Sequence, residues 1–373
     1  MPPEYRFGRE IILGAAKFCM VHGLSMLHMG TPVTKSMSDP RQYGVEGVIS
    51  FTFTAAEIEK YEKWKVAIVT TSSRTPLLNV PSVQADNLLI GRVGAEHLIS
   101  RGFKSMAFCG IRGHGYSKLR GEGFLQASLE AGIEASWNDE VQIDVSKRPD
   151  ISSMAQWLKQ LKLPVGVMTC NDIRSRHVTE GCRAAGLRTP DHVAIVGVDN
   201  DEVICQAMEP MLSSIDPNAY GIGFEAAAML LRIIEKKNTS QRKLIPPLGV
   251  VPRQSTFMVS ASDPTLGEAL SLIHQHLEDP TSVRNIAGKL GISRRTLERR
   301  FREHLGISVA TAIRRAHVER AKQLLIDTDL TLEEVADAAG LNDVRQLRIS
   351  FHRETGQSPS QVRQTFQKIS GKS

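Results

Sequence analysis

Membrane spans, paired cysteines and the common enzyme fingerprints are all missing from this sequence of 373 residues. No apolar run reaches the roughly 18 residues that a spanning helix needs. The best candidate, residues 223 to 237, is interrupted by Glu225 and Arg232. The opening MPPEYRFGRE has no apolar core of a signal peptide, so a cytoplasmic protein without membrane contact is expected. Cys19, Cys109, Cys170, Cys182 and Cys205 are odd in number and scattered, with no C-x-x-C, H-E-x-x-H or zinc-spaced Cys/His set. That usage suits a reducing compartment and argues against a disulfide scaffold. Cys109 and Cys170 lie inside apolar runs and read as small buried hydrophobes. Neither a nucleophile elbow, a P-loop nor a dinucleotide fingerprint occurs, so the sequence predicts no cofactor, no metal and no enzyme.

What is present suits a globular protein of two or three domains, each large enough to bury a core. Hydrophobic residues make up 41% and charged residues 23%, which excludes a disordered chain. The formal charge of +6 is mild. Residues 263 to 373 hold 17 Lys/Arg against 14 Asp/Glu, so a nucleic-acid partner must be argued from where the arginines lie.

From residue 1 to about 258, short apolar runs ending in Gly, Asn or Asp alternate with helical stretches. The runs are LSMLHM (24 to 29), GVISF (47 to 51), VAIVTT (66 to 71), MAFCG (106 to 110), VGVMTC (165 to 170), VAIVGVD (193 to 199) and LGVVPRQS (248 to 255). Such alternation predicts a parallel sheet with helices on both faces, and ligands outside the carboxyl ends of its strands. After a linker at 259 to 264 the texture changes to helices alone, over residues 265 to 373. There VRNIAGKLGISRRTLERRFREHLG and LEEVADAAGLNDVRQLRISFHRETG share one layout. Ile286-Ala287, Gly291, Leu297 and Phe301 in the first match Val335-Ala336, Gly340, Leu347 and Phe351 in the second. Each reads as helix, glycine turn, helix, and the second helix of such a pair can lie in a major groove. A solvated face is the ordinary fate of a charge run; the second copy argues against it here.

This tail resembles the DNA-binding domain of the AraC/XylS family over roughly 105 residues. Two tandem helix-turn-helix patterns, joined by RRAHVERAKQLL and followed by GQSPSQVR, carry the resemblance. It implies that Arg295, Thr296, Glu298 and Arg299 face base edges, with Arg294, Arg300 and Arg302 meeting phosphates or solvent. In the second module the exposed reading positions are Val344, Arg345, Gln346, Arg348 and Ile349. Arginine suits guanine because its fork pairs with O6 and N7 together. Ile349 stands where a basic residue is common in the family, which implies a less specific second reader.

The front two-thirds resembles the periplasmic-binding-protein fold in its LacI/GalR-type form. The carrying residues are VQADNLLIGRVGAEHLISRGFKSMAFCG (83 to 110), SKLRGEGFLQASLEAG (117 to 132), GVMTCNDIRSRHV (166 to 178) and VAIVGVDND (193 to 201). The resemblance implies two lobes with Asp86, Arg120, Asn171, Asp199 and, more loosely, Arg9 in the cleft between them. Carboxylates accept from sugar hydroxyls, Arg120 donates and Asn171 does both. Phe51, Phe53 and Tyr116 are candidate platforms for a sugar face. Each has a plainer reading: Asp86 as the N-cap of the next helix, Asp199-Asn200-Asp201 as a strand-end turn, the aromatics as core or surface. His97, His177 and His192 read as structural or surface groups.

Together the two resemblances imply a sugar-responsive transcription regulator. Its partners would be operator DNA, a small sugar effector (xylose or a related pentose), a second copy in a homodimer and, for an activator, RNA polymerase. Two alternatives are a carbohydrate-active α/β enzyme with a helical assembly tail and an exported solute-binding protein. The fold also implies a strand ahead of the first helix, interior to the N-terminal lobe's sheet. EYRFGREIILGAAKFCMVHG already reads as the loop and helix after it, so the chain is expected to start late.

Overall fold

The computed structural model describes residues 5–28, 40–51, 55–72, 80–140, 151–237, 241–256, 264–275, 282–305, 307–328, 330–355 and 357–370. The chain divides into two compact units, Met1–Thr256 and Phe257–Lys368. Of the expected linker, residues 259 to 263 lie outside the described residues, and Pro264 already opens a helix.

In the first unit the elements run α1 (Arg6–Val21), β1 (Gly47–Ser50), α2 (Ala55–Trp64), β2 (Ala67–Thr70), β3 (Ser82–Ala85), α3 (Asn87–Ser100), β4 (Met106–Ile111), α4 (Gly115–Glu130) and β5 (Ala135–Glu140). They continue α5 (Ile151–Lys159), β6 (Val165–Thr169), α6 (Asp172–Ala185), β7 (Val193–Val198), α7 (Glu202–Ala207), β8 (Ser213–Asp216), α8 (Ala219–Ile234), β9 (Arg242–Ile245) and β10 (Gly249–Val251). Two sheets result. The first, in order β1-β2-β3-β9, is parallel throughout. The second, in order β10-β8-β7-β6-β4-β5, is parallel except for β10, which runs antiparallel to β8.

Each sheet nucleates a lobe, and the chain crosses between lobes three times: after β3, after β8 and after β9. The crossings are tied together. Asp86 N–H donates to the Ile245 carbonyl at 2.9 Å, and Leu248 N–H donates to the Asp216 carbonyl at 2.9 Å. The Asn218 amide reaches the Pro246 carbonyl at 3.3 Å.

The run at 24 to 29 departs from expectation. Its described residues, 24 to 28, form no strand, and Leu24, Met26 and Leu27 are exposed. The physical reason is pairing. β1 is the edge of its sheet among the described residues, and this run forms no ladder with it.

Two helix pairs share one device. α1 crosses α8 where a Cβ on Gly14 would meet the Tyr220 carbonyl oxygen at 2.0 Å, and one on Gly223 would meet that of Ile11 at 1.9 Å. α3 crosses α4 where a Cβ on Gly91 would meet the Arg120 carbonyl oxygen at 2.0 Å, and one on Gly123 that of Leu88 at 2.0 Å. These glycines let backbones touch, and in the second pair the approach brings the first residue of α3 beside Arg120.

The second unit is helical: α9 (Pro264–Gln275), α10 (Val283–Lys289), α11 (Arg294–Leu305), α12 (Val309–Asp327), α13 (Leu332–Ala338), α14 (Val344–Thr355) and α15 (Pro359–Ser370). Its core is double. Ile286, Ala287, Leu297 and Phe301 pack with Val309, Ile313 and Ala316 of α12. Val335, Ala336, Leu347 and Phe351 pack with Val318, Ala321 and Leu325 farther along the same helix. Both turns use a glycine in the left-handed region, Gly291 at φ 64° and Gly340 at φ 66°. Caps are distinct: Ser293 Oγ accepts from Thr296 N–H at 3.0 Å to start α11, and Asp343 Oδ1 accepts from Gln346 N–H at 2.6 Å to start α14. Thr331 and Glu334 form the capping box of α13.

Replacing Gly91 by Ala places a methyl group on the Arg120 carbonyl, so backbone must shift. Thermal unfolding of Gly91→Ala is expected to show the first unit destabilised by about 1–3 kcal/mol, the usual cost of overpacking. The melting of the second unit should be unchanged.

Candidate functional sites

Arg120 is the centre of the first site. It sits on α4, 4% exposed, at the carboxyl ends of the strands of the second sheet. A buried guanidinium demands partners, and it has several. Nε donates to Asn87 Oδ1 at 2.9 Å, and one terminal nitrogen donates to the Cys170 carbonyl and lies 4.0 Å from Asp199 Oδ1. Its carbon lies 5.0 Å from the centre of the Tyr116 ring, a cation–π contact. Tyr116 Oη accepts from the Asn171 side-chain amide at 3.3 Å. Arg120, Asn171, Asp199 and Tyr116 are therefore together.

The other expected residues have contacts of their own. Asp86 directly precedes Asn87, and one of its carboxylate oxygens caps α3, accepting from Leu89 N–H at 3.0 Å. Arg9 is 45% exposed in its side chain and lies 4.0 Å from Asp201, the neighbour of Asp199 by two. Phe51 meets Phe7 edge-on at 6.1 Å. Phe53 lies outside the described residues. His97 is half-buried, 3.0 Å from Thr256 Oγ1, and desolvation first, then Arg101, holds it well below its ordinary pKa. His177 is lowered to about 4 by burial, Arg174 and Arg176. His192 Nδ1 accepts from Arg188 N–H at 3.1 Å.

Asp199 and Asn200 follow β7 with φ of 112° and 49°, conformations uncommon without glycine and frequent at binding sites. Burial pushes the Asp199 carboxyl above the ordinary range; Arg120 and Arg6 oppose that, while Asp201 and Asp216 add to it. Asp172 is buried behind this turn, accepting from Ser214 Oγ at 2.6 Å and from Asp201 N–H at 2.8 Å. Burial and then the Asp199 charge raise it too.

Several of these groups carried no signal in the sequence. Arg6, one turn before Arg9, reaches from α1 to the Asn200 carbonyl and to Asp216 at 3.3 Å. Asn87 read only as a helix start, and Asp172 only as the residue after Asn171.

The second site is the outer face of α11. Leu297 and Phe301 are fully buried, and Arg295, Arg299 and Arg302 occupy the opposite, exposed face. Arg294 is exposed; Arg300 is half-buried. Arg299 is held by Glu303 at 2.9 Å, an exposed pair of the weak i,i+4 kind. Thr296 Oγ1 lies 2.8 Å from Ser293 Oγ. Glu298 is half-buried and its carboxylate accepts from Val309 N–H of α12 at 3.4 Å, so it also has a partner within the fold.

On α14, Arg345, Gln346, Arg348 and Ile349 are exposed and Val344 half-buried. Gln346 Oε1 accepts from Asn342 N–H at 2.8 Å. Glu354 ties α14 to α12, bonded to Arg314 at 2.6 Å and Arg315 at 3.1 Å. Burial would raise its carboxyl, but the two guanidiniums leave it below the ordinary value. No helix of the described residues is long and apolar enough to cross a membrane.

Comparisons with known proteins match both units. A periplasmic binding protein-like domain model covers residues 95–256, and a helix-turn-helix domain model covers residues 286–365. The chain is 26% identical to the xylose operon regulatory protein of Escherichia coli K12 over 293 residues, 75% of this chain and 73% of that protein. It is 26% identical to the protein of the same name in Haemophilus influenzae, over 76% of this chain and 74% of that one. The solved structure of a xylose-binding transcription activator shares the fold, with a TM-score of 0.60 at 23% identity, covering 96% of this chain and 95% of that one. A LacI family regulator from Enterococcus faecium, solved with bound ribose, shares the first unit's fold, with a TM-score of 0.55 at 21% identity over 68% of this chain and 94% of that one. These relatives are regulators and not enzymes. The chain belongs to the AraC/XylS-type DNA-binding transcription regulators, with a periplasmic binding protein-like domain in front of its helix-turn-helix unit.

Proposed function

We propose that the first unit binds a pentose, xylose before others, and that this binding sets the operator affinity of the second unit. The observation that carries the reading is the buried Arg120 with Asn171, Asp199 and Tyr116 gathered around it. These groups offer a fixed donor fork, an amide able to donate, a carboxylate to accept, and an aromatic ring for a C–H face. Asn171 Oδ1 is already committed to capping α6 through Arg174 N–H at 2.8 Å, so its amide nitrogen is the end that meets a hydroxyl. The relatives named for xylose support the sugar class. Sugar closing the lobes would favour one arrangement, and only that difference in affinity can move an equilibrium.

The protein acts in the cytoplasm as a homodimer, its paired reading helices set at half-site spacing, with RNA polymerase as a partner where it activates. Arg295 and Arg299 read bases; Arg294, Arg300 and Arg302 hold phosphates. Thr296 and Glu298 act through the shape of the helix start and its seat on α12. In the second module Arg345 and Arg348 carry the charge, with Val344 and Gln346 beside them. At the cleft, Asp86 and Arg9 complete the rim.

Calorimetry against a panel of pentoses and hexoses tests the effector: xylose or a close pentose should bind, and a panel without any binding sugar would contradict the reading. Asp199→Asn should weaken the bound sugar roughly ten- to a hundredfold, the worth of a charge-assisted hydrogen bond of about 1.5–3 kcal/mol.

Asp199 also makes stability depend on pH. Its folded pKa lies above its unfolded value, so between those two values the folded state holds a proton that the unfolded state has lost. Stability therefore falls as pH rises across that window. In sugar-free protein, Asp199→Asn should gain melting temperature relative to wild type as pH climbs from the ordinary aspartate range through neutral; parallel curves would contradict the assignment.

At the DNA, Arg299→Ala should erase operator selectivity in footprinting while the fold is kept, at about 1–3 kcal/mol per lost base pairing. Arg302→Ala should instead weaken all sequences alike and lower the salt slope.

A further inference from the structure

Three parts of the first unit meet at one residue next to the effector carboxylate. Every polar group of Asn200 is engaged and the residue is 2% exposed. Its N–H donates to Ser214 Oγ at 2.9 Å, its side-chain amide donates to Asp216 at 3.4 Å, its carbonyl accepts from Arg6 of the other lobe, and its Oδ1 accepts from Arg253 at 2.8 Å.

Arg253 is unusual in its place along the chain. It lies three residues before Thr256, where the first unit ends. Its other terminal nitrogen donates to the Leu212 carbonyl at 2.9 Å, and its N–H donates to Ser213 Oγ at 2.7 Å. Ser213 Oγ lies 2.8 Å from Thr256 Oγ1. A continuous set of hydrogen bonds thus runs from the turn beside Asp199 to the exit of the unit. The turn itself has two successive non-glycine residues at positive φ, so a second backbone arrangement lies within reach.

We propose that Arg253 couples the effector cleft to the DNA-binding unit: its guanidinium passes movement of the Asp199–Asn200 turn to the exit segment at 253 to 256. Arg253 touches no part of the proposed sugar site itself, so it is a positioning residue. Coupling of this kind requires one element that both ligands bias, and the turn with its Arg253 bond is that element. The proposal rests on the sugar-responsive reading above.

The test is operator affinity of the full chain by fluorescence anisotropy, with and without saturating xylose, with ribose and arabinose as further arms. Wild type should show a sugar factor in the usual coupling range of about 5–150-fold. Arg253→Met keeps the apolar stem and removes the fork. Asn200→Gly removes the acceptor and tolerates the left-handed backbone. Both variants should still bind the sugar by calorimetry, with the factor reduced to within about twofold of unity.

A wild-type factor that survives in a folded Asn200→Gly or Arg253→Met variant overturns the coupling role. So does a variant that loses sugar affinity and melting temperature but keeps the factor, which marks a merely structural bond. If wild type binds operator indifferently to all three sugars, the sugar reading fails first and the coupling with it.

Discussion

A guanidinium withdrawn from water organises the first unit. Moving such a charge into the protein costs several kcal/mol after relaxation, and the cost is recovered only when its donors are met. Arg120 meets that demand with Asn87, the Cys170 carbonyl, Asp199 and the Tyr116 ring. Each partner comes from a different element, so one charge registers α3, β6, the end of β7 and α4 against one another. The Gly91 and Gly123 crossing is a condition of that arrangement, because only touching backbones bring Asn87 within 2.9 Å of Nε. A site built this way has its donors placed before any ligand arrives, and fixed donors are what let a polar cleft discriminate between sugars.

The DNA-binding unit obeys a different constraint. Each helix-turn-helix module is too small to hold a core of its own, and α12 supplies the missing wall to both. The two reading helices are thereby fixed to one rod, with Glu354 bound to Arg314 and Arg315 as a further tie. Duplication is close but not complete. Ser293 caps one reading helix and Asp343 the other, and Arg299 of the first corresponds to the exposed Ile349 of the second. A face with arginine at that position and a face with isoleucine cannot read a base pair in the same way.

Much of this was legible in the residues. The runs at 106 to 110, 165 to 170 and 193 to 199 became the buried central strands, since continuous apolar sequence is what a sheet covered on both faces requires. The Thr331–Glu334 capping box and the glycines at 291 and 340 marked helix ends, because those positions need a local hydrogen bond or a left-handed backbone. Other elements left no such mark. β8, Ser213–Asp216, is fully buried yet polar, and its hydroxyls are tolerable only because the Arg253 carbonyl, Thr256 and Asp172 meet them. β10 runs against its neighbour, and direction is not a property of a three-residue pattern. At the cleft, Arg120, Asn171 and Asp199 follow from the resemblance of their segments to a periplasmic-binding-protein fold, whereas Arg6 acts on a partner 194 residues away and no local signal records it. Asp86 and Asn87 show both cases: the Asp86 cap is local and legible, whereas the bond from Arg120 to the adjacent Asn87 arises from tertiary packing.

On the proposed reading, one chain binds a sugar in its first unit and DNA in its second, with each event felt by the other. By linkage, the factor by which sugar changes operator affinity must equal the factor by which operator changes sugar affinity. The direct measurement is xylose binding by calorimetry to the free chain and to the chain saturated with its operator, set beside operator binding with and without xylose. Two equal factors are expected, both different from one. Xylose and operator that bind independently, each with an affinity indifferent to the other, would contradict that reading.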